Sequence, residues 1–592
     1  MLQSNLTKQI ETEISDYLTK EVNVSEDCRF SQYKLVRRIG LFENHIYPTG
    51  KFDKQGNYKY WYDKITSCIN AEVKNVDIDT KNFRAKSDRP VDELGTHIIN
   101  LKIKDWMRDN GQAEEINSAE EEGAGWGNVL WKKVRGGYER CDLRNTYIIN
   151  QTAEHITETP VIERHQFSQS DLRAKSRVWK NVKEVIEGCK SDSYSSTIEA
   201  QASDTTVPYY DIYERNGEVC LKDLKIEKGE DVENNDEDKY VLAKVVVAGT
   251  KGTAGGAKIE YVLFSDKIPK MPYKEYHRGK YKGRWWREGL YELLFDVQVR
   301  LNQIGNQIAQ GLEWASKTVF KSADRLIIQN ILTDLKSGDI IKTRSLEQVN
   351  VRMEGFDQLA NEWNRIVNLA NDIANSTEVV RGITPPSGTP LGTTQLLDVN
   401  AGKLFDFIRE KLSIPFSEIF KEWLIPKMVD DLTMDDVVNL TGNSEILNRV
   451  RTMIVDGWYL DNLLAIGPHT KEIADVLKSK KMEELRARPQ LLISGLKKVF
   501  EGFKENVYVD IVGEQSTITE DTQSLVGIIN LEADPVRRSY ILDEVLKSKG
   551  FDVASWPRSQ PSQPSRPSQP SQPSQPVQPQ PAPLNQLTAK VV

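Results

Sequence analysis

Residues 283–314 read GRWWREGLYELLFDVQVRLNQIGNQIAQGLEW. Within them Leu290, Leu294, Val297, Leu301, Ile304 and Ile308 recur at spacings of 4, 3, 4, 3 and 4, which is one apolar seam on a single long helix. Its other faces carry Arg300, Gln303, Asn306, Gln307 and Gln310. Downstream, Phe356, Leu359, Trp363, Ile366, Ala370 and Ile373 step by 3 and 4 again, so a second helix is expected over 356–376. Between the two lies an insert of about 35 residues, TVFKSADRLIIQNILTDLKSGDIIKTRSLEQVNVR, which reads as short strands and a small helix. After the second helix comes RGITPPSGTPLGTT, residues 381–394, which cannot be helical at Pro385-Pro386. It opens into a third long helix, expected from Gln395 to about Met428. Pro415 removes a ladder hydrogen bond inside that helix and predicts a kink near Ile414.

Outward from this block the pattern is mixed. Helices are expected near Gln9–Lys20 and Leu94–Asn110, with the aromatic-rich NYKYWYDKITSCIN between them. GAGWGNVLWKKVRGGYERCDLRNTYIIN alternates apolar and polar residues around Gly136-Gly137 and predicts a hairpin. YYDIYERNGEVCL, KYVLAKVVVAG and IEYVLF read as further strands, separated by acidic and Gly-rich loops. Strands do not alternate with helices at βαβ spacing, so the class expected is α+β and helix-rich. Residues 432–556 read as mostly helical with one strand, NVYVDIV. From Pro557 to Pro583 the chain is almost only Pro, Ser and Gln, a composition that cannot offset the entropy of ordering. Its PxxP spacing suits an SH3-type ligand as well as a solvated spacer.

Composition narrows the function classes. At ~150 residues per domain, a chain of 592 residues implies roughly four units. With 39% apolar and 28% charged residues it is neither a disordered chain nor a fibre. No run approaches the ~18 uninterrupted apolar residues of a membrane span. MLQSNLTKQIETEIS has no basic region followed by an apolar one, so no signal peptide is expected. Cys28, Cys68, Cys141, Cys189 and Cys220 are scattered and read as reduced structural residues. No P-loop, H-E-x-x-H, G-x-S-x-G or G-x-G-x-x-G occurs, and the six histidines are dispersed. No cofactor, metal or catalytic group is therefore expected. The runs Glu120–Glu122 and Glu233–Asp238 read as solvated loops.

The net charge of −8 does not advertise a DNA-coating surface. Local charge is another matter. Lys267 to Glu288 holds eight Lys/Arg against two Glu, interleaved with Tyr273, Tyr276, Tyr281, Trp285 and Trp286. Such a segment grips phosphate, or, as the stronger expectation, covers apolar surface with its Lys and Arg stems. The insert is mildly basic, and Lys317, Lys321, Arg325, Lys336, Lys342 and Arg344 suit an acidic partner or, equally, a solvated surface.

The ordered series of helix, insert, helix, Pro/Gly loop and long helix resembles the portal proteins of tailed bacteriophages. GRWWREGLYELLFDVQVRLNQIGNQIAQGLEW is similar to the segment where a small-residue turn leads into a portal stem helix; Gly289, Gln298, Leu301, Asn302 and Asn306 carry the likeness. PVIERHQFSQSDLRAK resembles a portal wing with its S-x-x-D-L helix start. The resemblance covers about residues 30–555 and rests on order rather than on one motif. It implies an N-terminal wing over 1–287, a first stem helix over 288–316 and a clip over 317–353. It further implies a second stem helix over 354–380, a tunnel loop over 381–394 and a kinked wing helix over 395–430. A helical C-terminal wing and crown (431–555) and a tail (556–592) complete the series.

The function implied is a non-enzymatic ring, typically of twelve subunits, at one capsid vertex of the virion, assembled in the host cytoplasm. A terminase packages double-stranded DNA through its channel, and the DNA leaves the same way. Further partners implied are major capsid and scaffolding proteins, then head-completion or adaptor and tail proteins. The tunnel loop would place Ser387, Gly388, Thr389, Gly392, Thr393 and Thr394 toward DNA, and Gln303, Asn306, Gln307 and Gln310 would face the channel. The basic insert residues named above would form the clip's docking surface. A channel in which DNA slides must not hold phosphates, because each cationic contact adds affinity. The acidic balance fits that demand. The competing readings are a DNA-packaging or processing enzyme, and another head–tail connector or adaptor ring.

Overall fold

The computed structural model describes residues 5–53, 56–87, 93–188, 209–233, 235–251, 257–316, 319–322, 346–349, 355–376, 391–431, 444–466, 470–488, 491, 507–511 and 542. Within them the chain is mixed helix and sheet, and helix-rich. It divides into two compact units, residues 1–527 and 528–592. Of the second, only Leu542, helical and exposed, is described.

Helix α1 (Asn5–Thr19) buries Leu6, Ile10, Ile14 and Tyr17, a one-sided stripe. That stripe covers one face of a five-stranded antiparallel sheet. The strands are β6 (Thr146–Ile148), β7 (Val161–Ser168), β8 (Tyr209–Cys220), β9 (Tyr240–Lys251) and β10 (Ala257–Lys267), in spatial order β10-β9-β8-β7-β6. The apolar run in β9 is explained by burial on both faces. Val245 and Val247 face α1, and Val246 and Ala248 face α6 (Gln169–Lys175) and α7 (Val182–Gly188). Helix α6 begins as expected from the S-x-x-D-L pattern. Ser168 caps the Asp171 N–H and Asp171 returns the bond to the Ser168 N–H, a reciprocal capping box.

A second layer holds the expected hairpin, β4 (Asn128–Val134) and β5 (Gly137–Arg140), with Val134 opposite Gly137. Strand β11 (Tyr273–His277) pairs with the other edge of β4. Around it pack α2 (Gln32–Glu43), α3 (Ile65–Val76), α4 (Glu93–Asp109) and α5 (Gln112–Trp126). Strand β3 (Phe83–Ser87) pairs with β14 (Val507–Ile511), which brings the expected NVYVDIV strand back across the whole chain.

From Leu290 the architecture becomes long helices. Helix α9 (Leu290–Ser316) and α10 (Phe356–Ile373) run antiparallel, and an antiparallel pair, β12 (Val319–Ser322) with β13 (Leu346–Val349), joins them. Leu301, Ile304 and Ile366 form their buried seam. Helix α11 (Leu391–Ile419) follows and packs Phe405, Ile408, Leu412, Phe416 and Ile419 into the largest core. Further described elements are the antiparallel pair β1 (Val22–Ser25) and β2 (Cys28–Phe30), α8 (Leu221–Lys228), α12 (Ile425–Asp430), α13 (Ser444–Ile466) and α14 (Lys471–Ala487).

Three expectations are corrected. Gly123–Trp126 is not strand but the last turn of α5, which ends at Gly127 with φ +83°. The acidic run Glu120–Glu122 lies on that helix, and Glu120 is buried with its carboxylate accepting from the Ile78 N–H at 2.6 Å. Burial is the main cause that pushes Glu120 up to about 7. The helix after the Pro/Gly loop begins at Leu391, so Gly392, Thr393 and Thr394 are helical rather than loop. That helix continues through Pro415. A π segment over Phe420–Leu424 follows it.

Candidate functional site

The polar face of α9 is not a bare wall. Residues 60–64 run along it, and side-chain amides hold their backbone. Gln298 accepts from the Lys64 N–H at 3.0 Å and donates to the Tyr62 carbonyl at 2.6 Å. Asn302 accepts from the Tyr62 N–H at 2.9 Å. Asn306 accepts from the Tyr60 N–H at 2.7 Å and donates to the Tyr60 carbonyl at 3.0 Å. Gln310 donates to the Asp53 carboxylate at 2.9 Å. Spacing explains the match. Four helical residues rise about 6.0 Å and two extended residues about 6.6 Å, so amides at i, i+4 and i+8 meet alternate backbone units of a strand.

The strap also wedges the helices together. A methyl group on Gly305 would stand 2.4 Å from the Tyr62 ring and 2.7 Å from Trp363. Tyr62 and Trp363 meet edge to face at 5.1 Å. Thus Asn306 and Gln310, expected on a free face, are committed to the strap, whereas Gln303 and Gln307 are exposed. The physical reason is that the strap's backbone donors and acceptors need partners once packed against α9. Asn302→Ala removes the acceptor of the Tyr62 N–H and is expected to cost about 1–3 kcal/mol. Hydrogen exchange at the Tyr62 amide should accelerate accordingly. Gln303→Ala, a surface change, should stay within about 0.5 kcal/mol. Equal effects from the two would refute the ladder.

The basic segment 267–288 turns inward, as the covering reading expects. Lys274 pairs with Glu418 at 2.6 Å and Glu422 at 3.0 Å. Arg278 makes a two-pronged pair with Glu72 at 2.7 and 2.8 Å. Arg284 binds Glu292 at 2.8 Å, and Arg287 donates to the carbonyls of Arg284 and Glu154. Trp285 and Trp286 are buried, and the Trp285 indole donates to Glu275 at 2.6 Å. Lys267, Lys270, Lys280 and Lys282 remain exposed. Four of the paired carboxylates lie outside the segment, in α3, α9, α11 and the π segment, so charge counted within it misstated its free charge.

Between the two β layers lies a buried charge network. Lys132 reaches Glu163 at 2.8 Å and Glu214 at 2.6 Å, and Lys244 reaches Glu214 at 2.7 Å. The Tyr273 hydroxyl donates to Glu163 at 2.6 Å and the Asn216 amide to Glu214 at 3.0 Å. Burial works against charge on Glu214. Lys132 and Lys244 more than offset it and hold the carboxyl at about 2. Period-2 alternation places these residues on inner faces, but only the packing of the sheet that holds β4 on the sheet that holds β7 and β8 brings them together.

A cavity of about 520 Å³ opens between α3, α5 and the 140–144 turn, lined among others by Glu43, Glu121, Glu122, Arg140, Asp142 and Arg144. Its two arginines are already paired. Arg140 pairs with Glu122 and Glu115, and Arg144 with Asp142 at 2.9 Å. Burial pushes Glu122 up to about 7 despite Arg140. Cys141 at its rim has its thiol pushed well up by burial, which keeps it protonated. Among the described residues no three His, Cys, Asp or Glu side chains are grouped to hold a metal. No described helix is long and apolar enough to cross a membrane.

The other expected site residues are placed as follows. Ser387, Gly388 and Thr389 lie outside the described residues, as do Lys317, Arg325, Lys336, Lys342 and Arg344. Lys321 sits in β12. Gln298 and Asn302 were legible as a face but not as a strap's anchors. The alternation of NYKYWYDK, at half the helical spacing, was the available signal.

No protein-family model matches the chain, and no curated protein matches it.

Proposed function

We propose that this chain is a subunit of a phage portal, a ring-shaped channel at one capsid vertex. Double-stranded DNA would be packaged through it by a terminase and later ejected. On this reading the wing is the β-sheet and α1–α8 body and the stem is α9 with α10. The clip is the insert closed by β12 and β13, and α11 is the helix that crosses back to the body. Capsid, scaffolding and terminase proteins, then adaptor and tail proteins, are the partners proposed. The protein does no chemistry of its own.

The observation that supports the reading is the antiparallel α9–α10 pair with its β-closed insert, followed in the chain by a helix of 29 residues. The strap adds to it, because a two-helix stalk carrying pumped DNA must resist shear between its helices. Tyr62 wedged at Gly305 supplies that resistance. The exposed amides Gln303 and Gln307 offer an uncharged surface that does not hold phosphate.

Deleting residues 382–389, which spares the first turn of α11, tests the loop assignment. Ring formation should persist, and DNA packaging or retention in a reconstituted packaging reaction should fall to background. Unchanged packaging would remove the loop from the mechanism.

A further inference from the structure

Three aromatic side chains at the end of the strap project into water. Phe52, Tyr58 and Tyr60 are 60%, 48% and 53% exposed. They are ordered nevertheless. Phe52 and Tyr58 face each other across a small hairpin and meet edge to face at 5.8 Å, and Tyr58 meets Tyr60 at 5.3 Å. The hairpin is closed by bonds from Asp53 N to the Asn57 carbonyl and from Lys59 N to the Lys51 carbonyl, both 2.9 Å. Asn306 and Gln310 fasten it to α9. A rigid, preformed aromatic platform of this kind loses little entropy when covered.

We propose that this hairpin is the arm of a contact between copies of this chain, seated on the outer face of α9 and α10 of the neighbouring copy. The inference rests on the ring reading above. Charge complementarity supports it. The described residues of the arm carry Lys51 and Lys59 against Asp53, a balance of +1. Helix α10 carries Asp357, Glu362 and Asp372 against Arg365, a balance of −2, whereas Glu292 and Asp296 of α9 are already paired with Arg284 and Arg38. Asp357 and Asp372 are exposed and enter no ion pair among the described residues. The arm therefore meets opposite charge on the stalk.

Geometry restricts the seat. Rotation about a ring axis keeps every feature at its own level, so the arm must meet whatever its neighbour carries at the height of residues 302–310. Val299 and Leu369, each 39% exposed, offer apolar surface about 10 Å or less from that height, by the rise of seven helical residues. With Gly305 beside Trp363 in antiparallel register, the two stand at the same level on adjacent helices. Arm and seat are different patches, so the contact is head-to-tail, the kind that closes rings.

Two full-length variants test this, Phe52→Ser/Tyr58→Ser in the arm and Val299→Lys/Leu369→Lys in the seat. Far-UV circular dichroism and thermal melting check that both remain folded. Sedimentation then follows assembly. Each variant alone should need about 30-fold more protein to assemble than the wild type, the shift for loss of an aromatic hot spot. Mixed together they retain one intact arm and one intact seat and should give heterodimers but no closed ring. Rings from either variant alone, or from the mixture, at the concentration where the wild type assembles overturn the proposal while leaving the ring reading in place. A wild type that stays monomeric at every concentration overturns both.

Discussion

Gly289→Ala is expected to lower the stability of the folded chain by about 3 kcal/mol or more. The turn into α9 passes against the end of α5 with nothing between the two backbones. A methyl group on Gly289 would lie 2.3 Å from the Gly127 nitrogen and 2.4 Å from the Gly125 carbonyl oxygen. On the other side, a methyl on Gly127 would lie 2.4 Å from the Gly289 nitrogen. Neither clash ends on a flexible side chain, so relief requires moving a strand-entry turn and a helix start together. The same turn is fixed by Asn128, whose amide donates to the carbonyls of Trp126 and Arg287 and whose oxygen accepts from the Arg287 N–H. Gly127→Ala adds a left-handed φ of +83° to the clash and should cost more than Gly289→Ala. Gly136→Ala, where a methyl meets nothing within 4 Å, is the control. Urea unfolding of the three variants checks the order. A Gly289→Ala protein as stable as the Gly136→Ala protein would show that the backbones do not touch.

Lys132→Met should cost about 3–5 kcal/mol at neutral pH, because it strands a buried carboxylate without its counter-charge. Glu214 keeps Lys244, but Glu163 is left with the Tyr273 hydroxyl and its own strand. The pH dependence has a definite sign. In the wild type the folded Glu214 carboxyl sits at about 2, below its ordinary 4.5. Its stabilising contribution is complete above pH 4.5 and is lost as pH falls from 4.5 toward 2. Removing Lys132 removes much of that depression. The gap between wild type and variant should therefore be widest at pH 7 and narrow at pH 3, measured by urea unfolding at each pH. A gap that does not change with pH would mean that Lys132 contributes packing rather than charge.

Much of this architecture was legible in the chain because its signals are local. The seams Leu290–Ile308 and Phe356–Ile373 are periodic over several turns, and both helices form where expected. The hairpin around Gly136 and the capping box at Ser168 rest on residues three apart or closer. What was not legible depends on partners far away in sequence. Helix α5 contains Gly123 and Gly125 and a run of glutamates, a loop-like composition. It is helical because Gly123 and Gly125 admit the rings of Tyr276 and Tyr291 against its surface. Glu120 is buried because the Ile78 N–H needs an acceptor. The amides of α9 read as a channel-facing surface because their partner, residues 60–64, lies more than 230 residues upstream. Pro415 did not end its helix, since one lost ladder bond is small against five apolar side chains buried in the main core.

The central claim is that copies of this chain close into a channel, and end-on electron-microscopy class averages of the purified protein test it most directly. The reading predicts closed rings with a central opening wide enough for a DNA duplex. Monomers alone at high concentration, in the presence of scaffolding and capsid proteins, would contradict it.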